Sequence, residues 1–125
     1  MSLRNPLSKA KGLGSAKDGT GHWWSQRLTA IALALLTPWF VFFSVGLLGA
    51  GQDAVRSAIA QPLSAVLLTA FVLSLFWHAR LGLQVVVEDY IHGAKEIALQ
   101  VIIKFVYALA AIAALLAIGR IVFTA

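Results

Sequence analysis

The chain has no cysteine in its 125 residues, a single methionine, three prolines and only five acidic side chains. Without cysteine there is no disulfide, no thiolate nucleophile and no cysteine-ligated iron–sulfur cluster within this chain. Charged residues make up 12% of the sequence, against roughly a quarter in ordinary soluble domains. What fills the gap is apolar: 60% of residues are hydrophobic and mean hydropathy is +0.86. This is the composition of an integral membrane chain, long enough for one compact group of a few spans and too short for a separate soluble catalytic domain. Any chemistry must sit in or at the membrane.

The formal charge is +5, and it is concentrated at the front. Residues 1–27 hold Arg4, Lys9, Lys11, Lys17 and Arg27 against Asp18 alone. Because this basic segment leads straight into an apolar run, it reads as the positive-inside signal of a membrane protein and not as a nucleic-acid patch. The run from Leu28 to Gln52 holds no charge for 25 residues. That exceeds a signal-peptide core, so the expectation is a retained span.

The predicted architecture is all-α with three transmembrane helices, over about 28–48, 62–90 and 97–123. Residues 1–21 are expected to form an irregular basic segment, and residues 22–125 the three-helix anchor. Pro38 in the first span predicts a kink, because proline removes a backbone donor. Pro62 suits the first turn of the second helix. Residues 49–61 and 89–96 are read as short loops. With the basic front on the cytoplasmic or matrix side, the C-terminus lies on the opposite side. Ala110, Ala113, Ala114 and Ala117 give the third span small-xxx-small pairs suited to close helix packing.

The polar residues within the spans are few, and each is costly in hydrocarbon. His78 and Asp89 stand eleven residues apart, roughly 16 Å of helix. At 100° per residue they share one stripe, with Gly82 between them. If Asp89 marks the membrane surface, His78 lies near the midplane. A neutral imidazole there can ligate haem iron, join a proton relay or simply hydrogen-bond a neighbouring helix. Gly82 would remove a side chain where a flat macrocycle approaches. Tyr90 and Asp89 read either as a helix end at the headgroups or as a donor and proton carrier for a quinone. Arg27 reads either as a lipid-phosphate anchor or as the partner of an anionic or carbonyl-bearing group at the depth of Tyr90. Arg80 faces about 200° away from His78, as a snorkelling or paired cation, with its role open.

Together, His78 with Asp89-Tyr90 eleven residues on, Gly82 between them, Arg27-Leu28-Thr29-Ala30 opening the first span and the three-span plan resemble the small hydrophobic membrane-anchor chain of succinate dehydrogenase. The resemblance covers about residues 22–120. It implies that His78 is one axial ligand of haem b, the other coming from the larger cytochrome b anchor subunit. It implies that Tyr90 hydrogen-bonds ubiquinone with Asp89 beside it, and that Arg27 lies near the haem propionates and the quinone pocket. The implied partners are that larger anchor subunit, an iron–sulfur subunit, a flavoprotein subunit, ubiquinone and membrane lipid. The implied location is the bacterial inner (cytoplasmic) membrane, with the mitochondrial inner membrane as the second reading. A haem-free structural or assembly protein and a small transporter subunit are the alternatives from other classes.

Overall fold

The computed structural model describes residues 19–125. The expectations for residues 1–18, including most of the irregular basic segment, lie outside the described residues. Four helices follow: α1 Gly19–Gly46, α2 Gln52–Ala60, α3 Pro62–Tyr90 and α4 Ala94–Thr124. Helices α1, α3 and α4 are long and apolar enough to cross a membrane. The chain is a multi-pass membrane protein, all-helical among the described residues.

Each long helix outruns the hydrocarbon. At 28, 29 and 31 residues they measure about 42–47 Å, against a core of about 30 Å. The first span starts well before Leu28, since the helix already includes Gly19 and carries the Trp23-Trp24 pair within it. It continues without a break through Pro38. Pro62 occupies the first turn of α3, where its missing N–H costs nothing. Helix α3 ends at Tyr90, capped by the Ile91 N–H on the Val87 carbonyl. The turn into α4 needs Gly93 at φ +80°, the left-handed conformation glycine adopts freely.

One expectation needs correction: residues 49–61 are not simply a loop. Gln52–Ala60 is helical, a stretch whose charges Asp53 and Arg56 concealed it within an otherwise apolar sequence. Helix α2 lies against α3 and α4, and the Arg56 guanidinium donates to the Thr124 hydroxyl at 3.2 Å.

The three spans form an open row instead of a closed bundle. Helix α3 is central, packing against α1 on one side and α4 on the other, and α1 and α4 do not meet. Accordingly the core is thin: Phe71, Leu81, Val87 and Ile103 are the buried apolar side chains among the described residues. Phe40 stacks on Phe71 with ring centroids 4.4 Å apart, tying α1 to α3. Phe76 meets Tyr107 edge to face at 6.1 Å, tying α3 to α4. The large exposed aliphatic faces of α1 and α4 carry Leu35, Phe42, Leu109 and Leu116, surfaces that water would reject and that lipid or other membrane chains accept.

Candidate functional site

The α1–α3 contact is where the row turns polar. His22, Gln26 and Thr29 recur at spacings of four and three and therefore share one stripe of α1. Opposite them, α3 presents His78 and Gly82. The Thr29 hydroxyl lies 3.0 Å from His78 Nδ1. It also lies 2.7 Å from the Ser25 carbonyl and 3.1 Å from the Gln26 carbonyl. A threonine has one hydroxyl proton, and two carbonyl acceptors claim it. With the hydroxyl proton directed to a carbonyl, the Thr29 oxygen can accept from His78 Nδ1–H, the tautomer that leaves Nε2 with its lone pair.

Two further polar atoms of this stripe, His22 Nε2 and Gln26 Oε1, are buried without a hydrogen-bond partner. Buried polar atoms are nearly always paired, so this end of the α1–α3 seam holds two polar atoms that no other described residue satisfies. Neither Gln26 nor Thr29 stood out in the sequence as a site residue. The only signal was the stripe itself, hidden among tryptophans.

Gly82 lies on the same seam. A Cβ at this position would meet Gln26 Nε2 at 4.0 Å, an ordinary van der Waals contact. The glycine faces a side chain of α1.

The pairing of helices also bears on the depth of Arg27. With Thr29 level with His78 and Gln26 level with Gly82, antiparallel packing sets Arg27 level with Arg80. Along the axis it is nine to ten residues, roughly 14 Å, from the level of Tyr90. Its guanidinium lies 5.3 Å from the Trp23 ring centroid. The reason is that α1 begins earlier than expected, which pushes Arg27 deeper along the helix.

Asp89 and Tyr90 stand apart from His78, at the exposed end of α3, with Tyr90 81% exposed. They are brought to the turn that also holds His92 and Lys95, and no other part of the described chain covers them. On the far face of α3, Arg80 turns to α4, as the helical wheel predicted, its guanidinium 5.4 Å from the Trp77 ring centroid. Further along that face Gln84 donates to Glu88 at 3.0 Å and receives the Gln100 side chain on its carbonyl at 3.2 Å.

Comparison with known proteins agrees with this plan. The model of the succinate dehydrogenase/fumarate reductase transmembrane subunit family matches residues 1–117. The chain is 38% identical over 93 residues to the succinate dehydrogenase hydrophobic membrane anchor subunit of Rickettsia bellii, covering 74% of each chain. It is 32% identical over 114 residues to the protein of the same name from Paracoccus denitrificans, covering 91% of this chain and 88% of that one. The succinate dehydrogenase membrane anchor subunit of Reclinomonas americana is 35% identical over 82 residues, 63% of this chain and 68% of its own. No solved structure matches.

Proposed function

The chain belongs to the succinate dehydrogenase/fumarate reductase transmembrane subunit family, and from that premise we propose that it anchors a succinate:quinone oxidoreductase in the bacterial inner membrane, holding haem b through His78 and bordering the ubiquinone-reduction site through Tyr90. The anchor reading rests on the family. The haem reading rests on one observation, the hydrogen bond between His78 Nδ1 and Thr29.

Metal-bound histidines characteristically donate their second ring N–H to a nearby oxygen, which fixes the tautomer and the ring plane. Thr29 supplies that oxygen, and His78 Nε2 is left with the lone pair an iron requires. The larger anchor subunit would supply the second axial ligand. Haem b, when bound, would supply one-electron transfer. The open valences of His22 Nε2 and Gln26 Oε1 suit a polar substituent reaching the seam. Arg27, level with Arg80, is suited to the haem propionates by its height; the same height removes it from the quinone level.

Reduction of a quinone takes up two electrons and two protons, so its site needs a donor near water and open to lipid. The Tyr90 hydroxyl, at the exposed end of α3, is placed to donate a hydrogen bond to a quinone carbonyl, and the neighbouring Asp89 carboxylate to pass protons from the aqueous side. Because this chain leaves Tyr90 uncovered, the rest of the quinone pocket is built by the iron–sulfur subunit and the larger anchor subunit. The flavoprotein subunit completes the complex by oxidising succinate on the same side of the membrane. That side is the cytoplasm, given the basic residues that precede α1.

The experiment is spectroscopic. In purified complex, His78→Ala abolishes the b-type haem absorbance while the complex still oxidises succinate with an artificial dye. An unchanged haem spectrum in that variant overturns the ligand assignment.

A further inference from the structure

Arg80 of α3 and Lys104 of α4 line one groove of about 490 Å³, and neither has a part in holding haem or quinone. The contacts between the two helices show that these cations stand level: Gln100 pairs with Gln84, and Tyr107 with Phe76. No carboxylate among the described residues answers them. The nearest acidic residues along their own helices are Glu88 and Glu96, each eight residues away, about 12 Å of helix. Arg80 rests on the Trp77 ring. Two cations held together at an open groove, without an anion among the described residues, call for an anion from elsewhere.

The groove has a direction. From the cation pair it continues past Trp77 and Tyr107 to Leu73 and Ala111, seven residues along each helix, about 10 Å of largely apolar wall. A charged head followed by an apolar channel is the outline of a phospholipid. The opposite end of α4 repeats it: Arg56 and Arg120 open a second groove that runs back past Ala117 to Ala113. Lys104 and Arg120 are sixteen residues apart, about 24 Å, and long cationic side chains snorkel over the difference from a 30 Å hydrocarbon core.

We propose that the α3–α4 groove seats a phospholipid from the leaflet at the Tyr90 end, its phosphate held between Arg80 and Lys104 and an acyl chain laid along Trp77, Tyr107, Leu73 and Ala111. A neighbouring membrane helix is the poorer occupant, because its apolar side chains would bury two charges without a counter-ion. Lipid binding in this groove depends on neither haem nor quinone.

The test uses the intact complex with phosphatidylglycerol carrying a diazirine in one acyl chain. Irradiation is expected to label peptides containing Leu73–Trp77 and Tyr107–Ile112. Arg80→Gln with Lys104→Gln should weaken that labelling roughly thirtyfold, from the loss of two surface cations. Ala111→Phe, which keeps both charges and fills the channel, should suppress it as well. Labelling that is equal in all three complexes overturns the proposal. A benzophenone at position 111 that captures a protein segment instead of lipid also overturns it.

Discussion

His78 and Arg80 stand two residues apart on one helix and meet opposite fates. His78 turns to α1, where Thr29 satisfies one ring nitrogen and leaves the other chemically available. Arg80 turns to α4, where it finds an aromatic ring, a second cation and no carboxylate. Both are polar groups that hydrocarbon penalises. The difference is that the α1–α3 seam gives His78 a partner from within the chain, whereas no described residue brings a carboxylate to Arg80 and Lys104 in the α3–α4 groove. The two faces should therefore respond independently to mutation.

The sharpest separation compares His78→Ala with Arg80→Gln. The first is expected to remove all b-type haem absorbance from the purified complex. The second should leave the spectrum unchanged, because Arg80 faces away from the seam. Loss of haem in Arg80→Gln would merge the two faces into one site.

Thr29→Val comes next. It preserves shape while removing the acceptor for the His78 Nδ1–H. Loss of such an oxygen partner typically weakens metal binding about 10- to 100-fold, read here as haem lost on dilution or dialysis together with a shifted low-spin spectrum. Thr29→Ser, which restores the hydroxyl, should recover both. If valine at position 29 leaves haem retention and spectrum intact, the tautomer argument falls while the ligand assignment of His78 survives.

Tyr90→Phe moves the comparison along α3 instead of around it. Removing one hydrogen bond to a quinone carbonyl should lower quinone reductase activity roughly tenfold, with dye-linked succinate oxidation and the haem spectrum unaffected. Equal quinone reduction in the variant would remove Tyr90 from the site. Because Tyr90 and His78 are separated by about 18 Å of helix, no change in haem retention is expected from this substitution.

The existence of three spans was legible in the sequence, since long apolar runs leave little freedom, and Pro62 marked the start of the second; the start of the first was not, because the helix runs on through Arg27 and the tryptophans to Gly19. Angular relations on α3 were legible too: a period of 3.6 residues sets His78 and Arg80 on different faces whatever surrounds them. What sequence could not supply was which helix faces which. The row with α3 in the middle, the level of Arg27 with Arg80, and the pairing of Thr29 with His78 all depend on interhelical register, which no single-helix pattern encodes. Helix α2 was hidden for a different reason. Nine residues with two charges look like a loop beside spans of about thirty, and its order depends on contacts with α3 and α4.

Gly82→Ala carries the smallest expected effect and the clearest lesson about the seam. Sequence reasoning assigned the glycine to the approach of a macrocycle, whereas a Cβ there would meet only the Gln26 amide, at 4.0 Å. Alanine also favours helix over glycine by about 1 kcal/mol. Substitution should therefore leave haem content unchanged within error and raise the thermal stability of the complex slightly, if it moves it at all. Should Gly82→Ala expel haem, the macrocycle must approach α3 at position 82 after displacing Gln26, and the seam between α1 and α3 would have to open on haem binding. Intact haem would instead mean that the ring meets His78 from the side of the larger anchor subunit, with the Thr29 hydrogen bond undisturbed behind it.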